Sequence, residues 1–244
     1  MRLKLAFRLT RVLLHLARGL LTCALLFPWL GRERRDRHIQ RWSHALLRIC
    51  GIGVERMPGE APLAHALIVA NHVSWLDIFV INALQPARFV AKAEIRAWPV
   101  LGWLAQKAGT VFIARGNRRD LRHIFKGLVV SLQQGERVAL FPEGTTGPQG
   151  SLLPFHANLF EAAIDAGAPV QPYALRYVDE TGALHPNVDF VGEMSFAESM
   201  VLILSGSAIR AQLTCLAPLE TAGAHRRELA EAAQAAVAGA LAAA

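Results

Sequence analysis

The chemistry of this chain collects first around Asn71-His72-Val73-Ser74-Trp75-Leu76-Asp77. Imidazole is the side chain best suited to take a proton from a hydroxyl near neutral pH. A carboxylate five residues on can hold that ring in one tautomer and stabilise the imidazolium that forms. The same stretch has a second reading. Ser74 and Asp77 have the S-x-x-D spacing of a capping box before an apolar helix. Both readings are compatible, because the Asp77 carboxylate has two oxygens. A helix N-terminus there also disfavours a resting cation on His72, which keeps the ring available as a base. Asn71 fits a turn former or an orienting hydrogen bonder, and it joins the candidate substrate-binding residues. Ser74 is expected to cap rather than attack, since the chain has no G-x-S-x-G elbow.

Three further polar clusters follow apolar runs in the same way. Arg88–Ala91 leads into Lys92, Thr110–Ala114 into Arg115-Gly116-Asn117, and Arg137–Phe141 into Pro142-Glu143-Gly144-Thr145-Thr146. Lys92 and Arg115 could hold an anionic headgroup or the phosphates of a carrier. The Glu143-Gly144-Thr145 turn offers backbone amides, a glycine that permits close approach, and hydroxyls. Glu143 itself would repel phosphate unless it binds a basic group or braces the loop.

These clusters imply the elements that position them. Ala66–Ala70, Arg88–Ala91, Thr110–Ala114, Arg137–Phe141 and Val170–Arg176 read as buried strands. Ser74–Leu84, Asn117–Gln134, Ala157–Ala166 and the Ala-rich 226–244 stretch read as helices. Strand–helix alternation predicts an α/β fold with a largely parallel central sheet and helices on both faces. Each polar cluster then falls just past the carboxyl end of a strand, where open α/β sheets bind ligands. The expected division is an N-terminal helical element over residues 1–54 and an α/β domain over 55–244, with the Pro/Gly-containing 55–65 stretch as the connection.

Charge separates the two parts. Of 244 residues, the first 48 carry eleven Lys/Arg against two Asp/Glu, while the rest carries fifteen against seventeen. A nucleic-acid enzyme would spread its basic residues over a binding surface, so no nucleic-acid partner is expected. A basic, apolar N-terminus on a near-neutral body fits attachment to an anionic bilayer. Its longest uncharged run, Gly19 to Gly31, is shorter than the ~20 residues of a span. A segment lying in or dipping into one leaflet, with snorkelling arginines, is favoured over a tilted span. The Arg-dense GRERRDRHIQRW stretch points to the cytoplasmic face of the inner membrane. The three cysteines, Cys23, Cys50 and Cys215, have no metal-binding or disulfide spacing, and no metal is expected.

Taken in order, the clusters resemble the lysophospholipid acyltransferase family, whose best-known members are the 1-acyl-glycerol-3-phosphate acyltransferases. Asn71, His72 and Asp77 match its N-H-x-x-x-x-D motif. Phe112, Ile113 and Arg115 match F-I-x-R, and Phe141 to Thr145 match the start of F-P-E-G-T-R. Phe89 to Glu94 match F-V-A-K-x-E, and Val170-Gln171-Pro172 matches the fourth, proline-containing block. The resemblance implies direct acyl transfer from acyl-CoA or acyl carrier protein to a lysolipid hydroxyl, without cofactor or metal. His72 would be the base and Asp77 its partner. Arg115 and the Glu143-Gly144-Thr145 loop would bind the acceptor's phosphate. The chain departs from the family where Thr146 replaces the arginine after E-G-T, removing a bidentate phosphate contact. A lyso-ornithine lipid is therefore the alternative acceptor to 1-acyl-glycerol-3-phosphate. A lipid hydrolase or thioesterase, using the same base on water, is the alternative of another class.

Overall fold

The computed structural model describes residues 2–113 and 118–243, with the backbone alone for 2, 113 and 118–124. Seven strands form one sheet: β1 (Ile52–Arg56), β2 (Ala66–Ala70), β3 (Arg88–Lys92), β4 (Val111–Ile113), β5 (Arg137–Leu140), β6 (Val170–Val178) and β7 (Ile209–Cys215). Their spatial order is β1-β7-β6-β2-β5-β3-β4. Every pairing is parallel except β6 with β7. The expected α/β architecture with a largely parallel sheet is the one observed. β2 is central and buried along its whole length, as its unbroken apolar run requires.

Helices cover both faces. α1 (Arg2–Leu21), α2 (Arg32–Cys50), α3 (Asp77–Leu84) and α7 (Phe196–Ser205) lie on one side, and α5 (Arg118–Gln133), α6 (Glu161–Ala166) and α8 (Arg226–Ala242) on the other. Between β3 and β4 runs the short α4 (Leu101–Lys107). Alternate residues of β2 feed the two cores: Ile68 and Ala70 join Leu47, Val80 and Ile203, while Leu67 and Val69 join Leu128, Phe160 and Ala233. All three cysteines are free and buried, Cys50 and Cys215 within the first of these cores.

The N-terminal element is a helical hairpin laid against the first core. α1 continues through a π turn (Thr22–Leu26) and a 3-10 turn (Phe27–Trp29), and the chain reverses at Leu30-Gly31 into α2. Leu3–Trp29 is long and apolar enough to cross a membrane. One side of α1 is nevertheless committed to the protein. Val12 is buried in the core, Lys4 Nζ donates to Gly206 O at 2.7 Å, and Arg8 Nη1 donates to Leu204 O at 3.1 Å. Arg8, one of the arginines expected at lipid headgroups, instead joins Lys4 in satisfying carbonyls at the C-terminal end of α7, where a positive charge is favoured. The opposite side exposes Leu3, Phe7, Leu14, Leu21, Leu25 and Trp29. One side of α1 is thus held by the protein, and the other is apolar and exposed.

Several elements differ from the sequence expectation. β1 and β7 were not anticipated, nor were α4 and α7. β7 interleaves Arg210, Gln212 and Thr214 among apolar residues, the period-2 pattern of a strand next to the sheet's edge rather than a continuous apolar run. β1 spans positions 54 and 55, between which the domain boundary was drawn, and it pairs with β7. The helix expected from Ser74 begins at Asp77, and the one expected over Ala157–Ala166 is a 3-10 turn followed by α6.

Candidate active site

β2, β3, β4, β5 and β6 run in the same direction and end at one edge of the sheet, and the chain leaves β2 there through Asn71. Asn71 is buried, and its side-chain amide replaces a strand rung. Nδ2 donates to Leu175 O, and Oδ1 accepts from Leu175 N, both at 2.8 Å. The side chain expected among substrate-binding groups thus pins the end of β2 to β6. A buried amide so satisfied holds the following residue in a fixed position.

That residue is His72. Its backbone N–H donates to Glu143 Oε1 at 2.7 Å, and its carbonyl accepts from Gly147 N at 2.8 Å. Its ring stacks on Phe141, with centroids 3.9 Å apart and planes 6° from parallel, and Phe141 in turn faces Phe89 at 6.0 Å. Nδ1 lies 2.8 Å from Asp77 Oδ2. Since a carboxylate accepts, the ring proton is assigned to Nδ1, and the Nε2 lone pair is the one left for chemistry.

Asp77 is fully buried and accepts four hydrogen bonds from described residues. Oδ2 takes Val73 N at 2.8 Å and Ser74 N at 2.9 Å besides the imidazole. Oδ1 takes the Tyr177 hydroxyl at 2.6 Å. Burial first, and then the neighbouring Asp77 charge, hold the Tyr177 phenol well above its ordinary value, so it remains a donor. Asp77 also stands in the first turn of α3, where negative charge is favoured. The local fold therefore bends residues 72–76 around a carboxylate. Ser74 does not cap with its side chain as expected. Its backbone N–H is the group used, and its buried Oγ finds no partner among the described residues. A hydroxyl so enclosed is not placed to attack a substrate carbonyl.

The loop after β5 completes the arrangement. Glu143 is buried, with Oε1 on His72 N and Oε2 on Leu153 N at 2.8 Å. Desolvation raises its carboxyl above the ordinary value, opposed by those two backbone hydrogen bonds. Expected as a substrate-binding residue, Glu143 braces the loop around His72. Gly144 has φ +70°, and a Cβ there would stand 3.2 Å from the His156 ring. Thr145 is exposed on the crest of the turn. The hydroxyl of Thr146, at the position of the missing arginine, donates to Phe190 O. Lys92 ends β3 at the same edge with its side chain in solvent. Arg115 lies outside the described residues.

Tyr177 and the stacking role of Phe141 were not anticipated. Tyr177 follows the expected end of β6 at Arg176 by one residue, and its phenol among buried aliphatics was the available signal. Among the described residues no three His, Cys, Asp or Glu side chains gather as a metal site. A cavity of about 310 Å³ opens beside Asn71, Val73, Gln149 and Arg176, but none of His72, Asp77 or Glu143 lines it.

A protein-family model described as Acyltransferase matches residues 53–176. A 1-acyl-sn-glycerol-3-phosphate acyltransferase of Neisseria meningitidis is 49% identical over 152 residues, covering 62% of this chain and 59% of the relative. The chain thus matches about three-fifths of that relative's length. A lyso-ornithine lipid O-acyltransferase of Pseudomonas aeruginosa is 40% identical over 97% of this chain and 93% of its own. The crystal structure of a 1-acyl-sn-glycerophosphate acyltransferase from Thermotoga maritima superposes with a TM-score of 0.66 over 96% of each chain; at 20% identity it supports the fold alone.

Proposed function

The chain belongs to the Acyltransferase family, and we propose from that premise that it moves a fatty acyl group from acyl-CoA or acyl carrier protein to the free hydroxyl of a lysolipid at a membrane surface. The observation that carries the reading is the His72 ring, stacked on Phe141 and tied through Nδ1 to a carboxylate that four donors hold rigid. In the proposed step, Nε2 of His72 takes the acceptor's hydroxyl proton while that oxygen attacks the thioester carbonyl. The carbon–sulfur bond then breaks, and the departing thiolate takes the proton from the imidazolium. Asp77 stabilises the imidazolium between the two transfers and keeps the ring from turning. No side chain of the protein is acylated, in keeping with the enclosure of Ser74.

Since Glu143 is occupied with backbone amides, the acceptor's anionic group falls to Arg115, Lys92 and the Thr145 turn, with Gly144 permitting close approach. The favoured acceptor is 1-acyl-glycerol-3-phosphate, giving phosphatidate. One observation favours the second acceptor. The Thr146 hydroxyl is used on Phe190 O, and the relative matched along nearly all of this chain is named for lyso-ornithine lipid. The proposed location is the cytoplasmic face of the inner membrane, from the cationic residues around the hairpin turn.

The test is transfer of labelled acyl groups by the full chain to each lysolipid, offered separately and in competition, with free fatty acid measured alongside. Acyl transfer that requires a lysolipid is expected. Fatty acid released at the same rate without any lysolipid would make the protein a hydrolase instead.

A further inference from the structure

The opposite edge of the sheet holds a second charged site. Arg88 and Arg137 are the first residues of β3 and β5, so they stand at the amino edge, across the sheet from His72. There the chain's reversal at Leu30-Gly31 meets the C-terminal end of α4 around a cavity of about 290 Å³. Its lining includes Arg32, Arg35, Arg88, Lys107 and Arg137, with Asp36 the single carboxylate among the described residues.

Local pairing does not neutralise this cluster. Glu136, buried behind the lining, takes Arg32 at 3.1 Å and Arg88 at 2.5 Å, which uses both its oxygens. Asp36 lies 3.9 Å from Arg32, a long contact. Arg137 spends Nε and Nη2 on Pro86 O. Arg35 Nε is buried and finds no hydrogen-bond partner among the described residues, while its guanidinium lies over the Phe27 ring at 5.9 Å. Lys107 rests over Trp103 at 5.5 Å and makes no ion pair among the described residues. The N-terminus of α2 opens here too, at Gly31, without a side-chain cap. Two carboxylates against five cations, with a buried guanidinium N–H unmatched, is a site for an anion with several acceptor oxygens.

The surroundings indicate where the anion comes from. Trp29 is 87% exposed at the head of the same turn. Leu21, Leu25 and Leu26 are exposed just before it. Tryptophan next to an exposed apolar helix face is the composition of a membrane–water boundary. We propose that this cavity receives the phosphate of an anionic membrane phospholipid, which seats the hairpin turn at headgroup depth. The site is separate from the acyl-transfer edge and does not depend on that reading.

The test uses full-length protein and vesicles of phosphatidylcholine alone or with about a fifth phosphatidylglycerol. The double variant R35Q/K107Q is compared with R34Q/R37Q, which removes the same charge from exposed positions on α2. R35Q/K107Q should weaken binding to the anionic vesicles about tenfold or more, and R34Q/R37Q no more than about threefold. Neither should change binding to neutral vesicles. Should R35Q/K107Q fail to fold, K107Q alone, at an exposed position, carries the test with an expected loss of about threefold to fivefold. Equal losses from the two double variants would overturn the proposal in favour of diffuse surface charge. A second arm measures thermal stabilisation by inorganic phosphate. Loss of that stabilisation in R35Q/K107Q with vesicle binding intact would also overturn it, by assigning the cavity to a soluble anion. Acyl transfer in neutral detergent should be unchanged in both variants, so failure here leaves the catalytic reading standing.

Discussion

At the carboxyl edge of the sheet one buried carboxylate, Asp77, is matched by four donors, whereas at the amino edge five cations surround a cavity with, among the described residues, Asp36 between them and Glu136 behind. The first arrangement fixes a side chain. Its charge is enclosed and each oxygen is committed, so the imidazole it holds has one orientation. The second arrangement leaves charge unmatched and half in water, which suits capture of an ion from outside. The same sheet separates the two, and its parallel strands carry Arg88 and Lys92, or Arg137 and Leu140, to opposite ends of a single element.

The contrast predicts that substitutions at the first edge act on both catalysis and folding, and those at the second act weakly on either. The largest effect is expected from Asp77→Asn. An amide accepts through one oxygen only and would favour the wrong imidazole tautomer, so transfer should fall about 10²- to 10⁴-fold. Steady-state rates at saturating lysolipid check this. Asn71→Ala comes next for stability. It removes both bonds to Leu175 and leaves a buried N–H and C=O unpaired, costing about 2–3 kcal/mol by denaturant titration. Tyr177→Phe should cost about 1–2 kcal/mol and lower the rate about tenfold, because Asp77 Oδ1 loses its donor. Tyr173→Phe, on the same strand, is the control. Its hydroxyl meets the Cys215 thiol and no oxygen or nitrogen partner among the described residues, so a change within about 0.5 kcal/mol is expected. At the amino edge, Glu136→Gln should cost only about 1 kcal/mol, shrinking further with added salt, since Arg32 and Arg88 are each nearly half exposed. A Glu136→Gln penalty as large as that of Asn71→Ala would erase the distinction between the edges.

The sequence was most readable where one pattern served one purpose. β2 is a fully buried strand, and its five apolar residues have the same bounds in the structure. The polar residues after it mark the carboxyl edge because chemistry there needs side chains that a core does not. Readability failed where a residue type serves two masters. Asn71 and Glu143 are polar in both a binding and a bracing role, and only the partners Leu175, His72 and Leu153 distinguish them. Ser74 and Asp77 have capping-box spacing, yet the turn is built around Asp77's own carboxylate, which delays the helix to Asp77. Tyr177 acts across 100 residues of sequence, a contact that depends on the pairing of β2 with β6. The amino-edge cavity was legible only as an excess of arginine. Arg88 and Arg137 join Arg32 and Arg35 through the sheet, not through the sequence.

The most direct test of His72 as the base is single-turnover acyl transfer by His72→Ala, compared with wild type at matched protein and lysolipid concentrations. Loss of about 10²-fold or more, with lysolipid affinity kept within a few-fold and no acylated protein in either sample, is the expected result. Transfer by His72→Ala at near the wild-type rate would contradict it.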